Sequence, residues 1–518
     1  MQHRTVNALR TILLAAATVA TGACSVNPVT GERELVLVSE QQELQMGEQA
    51  YFASQQSQGG EYDIDPELTR YVRDVGYRLA AVSDRQLPYE FVILNNSVPN
   101  AWALPGGKIA INRGLLTELD SEAELAAVLG HEIVHAAARH SAQQVTRGML
   151  SQVLVVATAV VASDTDYGGL AVGGAGLAAQ LVNTRYGRSA ELESDEYGMK
   201  YMSKAGYDPQ GAVHLQETFV RLNDGHRTDW LSGLFASHPP SQERVEANRA
   251  TASSLPAGGR LGRDEYRQQM QRTLNAEAAY ALYDEGRKAL SQGDRKTALD
   301  RANAALDLLP EEAHFHALRG DVRMLDKNYK DAITNYTRAM ERRDKFFYYP
   351  LQRGLARRQA GDLQGARADL ERSRELMPTA PAEMALGSIA EREGRFDAAI
   401  GHYKVVAKAG GDIGESAAMS LARLEMPRQP GAYFATQCGA DSKGNLVVAV
   451  QNRAPATVSN VVIAIDVADS AGQVRRLTRE LAGTLASGGV GRVNTGIGPY
   501  SGGACPVSVV GARIVERP

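Results

Sequence analysis

The chain has only three cysteines in 518 residues, Cys24, Cys438 and Cys505, so at most one internal bridge can form and one thiol is left to explain. It also lacks an excess of one charge sign. Formal net charge is −4, with Lys, Arg, Asp and Glu interspersed rather than gathered into runs. Holding nucleic acid by its phosphates needs a basic face, so no DNA or RNA role is expected. Long apolar runs are missing too. The stretch Thr11 to Ala20 is too short to span a bilayer. In the Ala-, Val- and Gly-rich segment from Leu150 to Val182, Val153 to Ala162 is broken by Ser163-Asp164-Thr165-Asp166 and the remainder is Gly-rich. Neither half reaches the ~20 residues a spanning helix needs, so a buried or flap-like helix pair is expected there. At 518 residues one hydrophobic core does not suffice, and roughly 100 to 200 residues per domain suggests about three or four domains.

What is present begins with an export signal over residues 1–23, in which Arg4 and Arg10 form a basic head before the short apolar run. It ends in Thr21-Gly22-Ala23-Cys24, which resembles the lipobox of bacterial lipoproteins, with Thr21 where that pattern usually has Leu. The resemblance implies that Cys24 is lipidated and anchors the protein to a membrane, and Ser25 resembles the outer-membrane sorting pattern. With Cys24 so used, Cys438 and Cys505 are left to pair in an oxidising compartment; the alternative is two separate buried thiols.

Four segments are expected: the signal, a catalytic domain over 24–265, a repeat solenoid over 275–425 and a small β-sandwich over 430–518. In the catalytic domain, Tyr89 to Leu94 and Lys108 to Asn112 read as strands separated by turn-rich sequence. A helix begins at Ser121, where Ser121 and Glu124 make a capping box, and runs to about Gln144. Further on, Gly286, Gly320, Gly354 and Gly387 recur at intervals of 34, 34 and 33 residues, and each is followed twelve residues later by an alanine: Ala298, Ala332, Ala366 and Ala399. This period resembles the tetratricopeptide repeat, whose small residues sit where paired helices approach closely. After Pro427 the alternating stretches Leu446 to Gln451, Val461 to Val467 and Pro506 to Val515 suggest the sandwich, closed by the cysteine bridge.

On the helix from Ser121 stands His131-Glu132-Ile133-Val134-His135. Histidines four apart share a helix face and can bind one Zn²⁺, with Glu132 beside them to take a proton from water. The bland reading is two surface histidines on an Ala-rich helix. A third ligand is expected downstream, in Arg188 to Gly198, on a helix that ends at Gly206. There Glu191 and Asp195 share a face, so Glu191 can ligate zinc while Asp195 holds a ligand imidazole; Glu193 points elsewhere. Such an acidic pair by itself more often makes a solvated face. His140, His214, His226, His314, His316 and His402 have no ligand spacing and read as structural or exposed.

HEIVH, followed 56 residues after His135 by ELESD, resembles the M48 peptidases, the Ste24-like gluzincins. Asn100 to Gly107 and Ser237-His238-Pro239-Pro240 with Arg244 resemble further motifs of that family, and the likeness covers about residues 27 to 250. It implies a mainly α gluzincin-type metalloprotease domain with a small β-sheet, and one zinc held by His131, His135 and Glu191 with Glu132 as general base. It also implies that His238 lies near the metal, either in the open coordination position at rest or, with Arg244, stabilising the oxyanion. An extended substrate would add along the strand edge from Trp102 to Ile111, which marks Asn100, Ala101, Trp102 and Ala103 as substrate-binding. Joined to repeats and a lipid anchor, the domain resembles periplasmic M48 proteases that attend outer-membrane β-barrel assembly, though the C-terminal β module departs from that pattern. The expected role is degradation of unfolded or misassembled envelope proteins, with the repeats recruiting clients or the outer-membrane assembly machinery. Two rivals stand beside it: a chaperone or scaffold with latent protease activity, and an integral-membrane Ste24-like protease in which the segment from Leu150 to Val182 spans.

Overall fold

The structure, a computed structural model, describes residues 24–152, 185–224, 237–468, 474–500, 505 and 507–515. The export signal, the side chain of Cys24, His226 and most of the segment from Leu150 to Val182 lie outside the described residues. The chain divides into two compact units, Met1–Ala360 and Gly361–Pro518.

The first unit opens with a small antiparallel hairpin, β1 (Cys24–Val26) and β2 (Arg33–Leu35), followed by α1 (Glu40–Ser57) and α2 (Pro66–Ala80). Three strands follow, β3 (Glu90–Leu94), β4 (Ala101–Leu104) and β5 (Lys108–Asn112), in the order β3-β5-β4, with β3 parallel to β5 and β4 antiparallel to it. Runs such as Phe91-Val92-Ile93-Leu94 suit a ladder covered on both faces, and β4 and β5 are buried along their whole length. The sequence reads as turn-rich between the first and last of these strands, yet Ala101–Leu104 is the edge strand itself. Gly106 and Gly107, at φ of 80° and 85°, return the chain tightly enough for Ala101 to pair with Ile111.

After the short α3 (Arg113–Leu116) comes α4 (Glu122–Ala137), every residue of which is buried. Ser121 Oγ accepts from the Glu124 N–H at 3.2 Å, but the Glu124 carboxylate reaches one residue further back than a capping box does, to the Asp120 N–H at 2.8 Å. The helix also stops short of Gln144: Arg139 takes φ 64°, and a separate α5 (His140–Gln152) begins. The break is fixed by the Arg139 guanidinium, which donates to Glu43 at 2.8 Å, the Val38 carbonyl at 2.7 Å and Ser25 Oγ at 2.9 Å. No spacing rule reads such long-range contacts from sequence.

Next come α6 (Arg188–Lys204), α7 (Gln210–Asp224) and α8 (Gln242–Ser254). α4 meets α6 where Gly130 faces Gly198; a Cβ on Gly198 would stand 3.0 Å from the His131 backbone nitrogen, and one on Gly130 would stand 3.1 Å from the Gly198 carbonyl oxygen. Two glycines let the backbones come this close without displacing either helix, and that approach brings side chains of both helices to one point.

α9 (Arg263–Ser291) runs unbroken through residues 265–275, where the sequence suggests a domain boundary. It buries Tyr266, Met270, Ala276 and Tyr280 in the same core as Leu125 and Ile133 of α4, so the first repeat grows out of the catalytic core without a linker. The helical hairpins continue with α10 (Arg295–Leu308), α11 (Ala313–Leu325), α12 (Tyr329–Arg342) and α13 (Tyr348–Gln359). The period has the expected physical basis: Ala298 and Ala332 are fully buried, and a Cβ on Gly320 would lie 2.7 Å from the Tyr336 ring.

A buried polar cluster fastens these hairpins to the catalytic core. His314 Nε2 donates to the Gly59 carbonyl at 3.0 Å, so its Nδ1 accepts from the Tyr349 hydroxyl at 2.8 Å, and both nitrogens of a neutral ring are satisfied. Burial, with the Arg343 guanidinium nearby and Glu312 opposing, pushes the imidazole down to about 4. An unfolded histidine takes its proton near pH 6.5, so between that pH and about 4 the unfolded chain binds the extra proton and stability falls as pH falls. Compared with His314→Gln by thermal melting from pH 7 to 4, the wild type is expected to lose about 3 kcal/mol more than the variant.

In the second unit, α14 (Leu363–Leu376), α15 (Ala380–Arg392), α16 (Phe396–Ala407) and α17 (Gly411–Glu425) carry the period onward, with a Cβ on Gly387 falling 2.6 Å from the Tyr403 ring. Among the described residues seven strands follow: β6 (Phe434–Ala440), β7 (Leu446–Asn452), β8 (Val458–Ala468), β9 (Val474–Glu480), β10 (Thr484–Leu485), β11 (Val490–Asn494) and β12 (Val507–Ile514). They form two sheets, β11-β7-β6 and β10-β8-β12 with β9 also on β8, around a shared core that includes Val448, Val450, Ile463 and Val509. A disulfide joins Cys438 to Cys505.

Candidate metal centre

α4 supplies His131 and His135, α6 supplies Glu191, and the segment before α8 supplies His238. All four are buried, and one potential ligand atom of each lies within 4.8 Å of the others. His135 Nε2 is 3.0 Å from His131 Nε2 and 3.4 Å from Glu191 Oε1; His238 Nδ1 is 3.3 Å from His131 Nε2 and 3.0 Å from Glu191 Oε1. Donors ~2.0–2.1 Å from a tetrahedral zinc stand ~3.3 Å apart, so these separations fit that ion. The chemistry of the donor set fits as well. His131 Nδ1 faces Asp195 Oδ1 at 2.9 Å and must donate to it, which leaves Nε2 presenting a lone pair to its neighbours. Burial, only partly opposed by Glu191, holds the His135 imidazole well below its usual range and therefore neutral. Burial alone would raise Glu191, but His238 and His135 outweigh it and keep the carboxylate ionised.

Glu132 lies beside the cluster, its Oε1 3.6 Å from His238 Nε2 and its Oε2 buried with no hydrogen-bond partner. Burial raises its carboxyl above the usual range, against the pull of His238 and His131. A basic, unencumbered carboxylate oxygen next to a metal donor set is the arrangement a general base requires. On one side opens a cleft lined by the polar groups His131, Glu132, Asp195, Gln216, His238, Arg244 and Asn248 and by apolar side chains that include Ala101, Val128, Met199, Met202, Leu215 and Phe219.

Asp195 and Arg244 form a second tier. Arg244 Nε and one terminal nitrogen donate to the two Asp195 oxygens, each at 2.7 Å; the other terminal nitrogen lies 2.9 Å from Glu191 Oε2 and donates to the Pro239 carbonyl at 3.3 Å. Burial would raise Asp195, but Arg244 and His131 outweigh it. Arg244 thus braces Asp195 and the carbonyl beside His238 while also lining the cleft. Of Asn100, Ala101, Trp102 and Ala103, expected to bind substrate through the main chain of the strand edge, Ala101 also lines the cleft; Trp102 faces the other side of the sheet, edge-on to Tyr51 with ring centroids 6.3 Å apart.

Two residues the sequence did not flag touch His135. Tyr186 stacks on its ring with centroids 3.9 Å apart and is held by a 2.9 Å contact between its hydroxyl and Ser141 Oγ. His140, five residues on, lies 2.9 Å from His135 between their Nδ1 atoms. An unbroken helix would carry His140 off the ligand face; the break at Arg139 brings it back.

Residues 66–252 match peptidase family M48, and residues 283–345 and 351–412 match the tetratricopeptide repeat. The chain is similar to the beta-barrel assembly-enhancing protease of Escherichia coli (strain K12), 27% identical over 260 residues that cover 48% of this chain and 50% of the relative. It is 34% identical over 185 residues to the mitochondrial metalloendopeptidase OMA1 of Schizosaccharomyces pombe, covering 34% of this chain and 51% of that one. It is also 32% identical over 170 residues to the metalloprotease YcaL of Escherichia coli (strain K12), covering 32% and 63%. The chain thus spans about half the length of the relatives it matches.

Proposed function

Since residues 66–252 form an M48 peptidase domain and the chain carries tetratricopeptide repeats, we propose that this protein is a zinc-dependent endopeptidase of the bacterial cell envelope that degrades misfolded or misassembled envelope proteins. The observation that carries the reading is the convergence of His131, His135 and Glu191 on one point with the unpartnered oxygen of Glu132 beside it. Zinc held there supplies a Lewis acid that polarises the scissile carbonyl and acidifies water. Glu132 takes the water proton and delivers it to the leaving amine. Asp195, braced by Arg244, keeps the proton of His131 on Nδ1 and its lone pair on the metal side. His238 would stand at the position a catalytic zinc keeps open for water or substrate, where its imidazole would face the oxyanion. The apolar cleft beside Ala101 takes a hydrophobic side chain of an extended chain paired along β4.

The repeats recruit clients or the outer-membrane assembly machinery, and a lipid on Cys24 anchors the protein to the outer membrane in the periplasm. Support for this context is the name of the Escherichia coli relative and the N-terminal sequence. His238 also favours a second reading, a scaffold with latent protease activity, because its Nδ1 completes a four-donor set. For the integral-membrane alternative, no helix among the described residues is long and apolar enough to cross a membrane. Casein cleavage by the purified protein distinguishes these readings: activity is expected to disappear with a chelator and to return on adding one equivalent of zinc. A protein that binds zinc and cleaves neither casein nor an unfolded outer-membrane protein favours the scaffold.

A further inference from the structure

We propose that the segment just after Cys24 belongs to the metal site: Asn27, Glu193 and His140 form a relay that orients the zinc ligand His135. The inference rests on the zinc reading above. His135 turns Nε2 to the donor cluster, so as a neutral ligand it carries its proton on Nδ1. That nitrogen meets His140 Nδ1 at 2.9 Å, which must therefore accept, and the proton of His140 is left on Nε2. His140 Nε2 lies 3.4 Å from Glu193 Oε1, and the Asn27 amide donates to the same oxygen at 2.9 Å. Each member thus fixes the proton position of the next, outward from the ligand to a carboxylate and its amide clamp.

The two ligand histidines are supported differently. His131 has its carboxylate directly, Asp195, from the same helix as Glu191. On its Nδ1 side His135 reaches a carboxylate through His140, and that carboxylate is held by a residue 166 positions away in sequence. Asn27 is itself fixed, 2% exposed, its side-chain oxygen accepting from the Val29 and Thr30 N–H groups at 2.9 and 3.3 Å and its amide also donating to Glu34 at 3.2 Å. The neighbouring Ser25 accepts from Arg139, the residue whose positive φ sets His140 beside His135. One short N-terminal hairpin therefore holds both the relay and the break that makes it possible.

Partners that orient a ligand imidazole are typically worth about 10- to 100-fold in metal affinity. The test uses the full-length mature protein and measures zinc affinity by chelator competition, the absorption spectrum of the cobalt-substituted protein, and the melting temperature of the metal-free protein. Glu193→Gln is expected to weaken zinc about 10-fold and Asn27→Ala about 3-fold, both with a shifted cobalt spectrum and a metal-free melting temperature close to wild type. Wild-type affinity and spectrum in both variants would overturn the relay while leaving the protease reading intact. So would a loss of affinity that only tracks a fall in the metal-free melting temperature. A wild-type protein that binds no zinc overturns both.

Discussion

Glu132→Gln is expected to lower the rate of casein cleavage by about 10²- to 10⁴-fold, the range a lost general base typically costs, while zinc content stays at one per chain. The reasoning is geometric. Glu132 is not among the four clustered donors, and its free oxygen is what the substitution removes as a base. Stability should not suffer, and the sign can be argued: burial holds the carboxyl above its ordinary range, so keeping it charged at neutral pH is a cost that an uncharged amide of the same shape avoids. The metal-free variant should melt at or above the wild-type temperature. A variant that loses activity together with its zinc or its fold would place Glu132 in the scaffold of the site instead of its chemistry.

Glu191→Gln should act through the metal instead. It removes the one carboxylate ligand and with it one of the negative partners of Arg244 and His238. Since outer partners already cost about 10- to 100-fold in affinity, loss of a ligand should exceed that, and the variant should purify with little zinc and no measurable cleavage at micromolar zinc. Millimolar zinc should recover part of the activity if the defect is binding alone. Titration by isothermal calorimetry separates the two variants: Glu132→Gln binds zinc like wild type, Glu191→Gln does not.

The chemistry of the site was legible because it is written in local spacing. His131 and His135 fall on one turn of a helix, as do Glu191 and Asp195, and the segments flanking β3 and β5 announce themselves by composition and turns. The repeat period was legible for a related reason, since Gly320 and Gly387 each stand where an aromatic ring leaves no room for a Cβ. What was missed depends on contacts far apart in the chain. The break at Arg139 is made by Glu43, Val38 and Ser25, and without it His140 reads as pointing away from the metal. The boundary expected between residues 265 and 275 falls inside one helix, residues 263–291, whose continuity follows from burial of Tyr266, Met270 and Tyr280 in the catalytic core, contacts that no local pattern announces. Arg244 was recognisable as a site residue, but its hold on Asp195 could not be read from a motif, because it depends on how α8 packs against α6.

The account depends most on where the metal sits. Crystals of the zinc-loaded Glu132→Gln variant, measured on both sides of the zinc absorption edge, should give one anomalous peak per chain about 2.0–2.2 Å from His131 Nε2, His135 Nε2 and a Glu191 oxygen. A peak bound elsewhere, or none at these three atoms in a protein that still cleaves casein in its wild-type form, would contradict it.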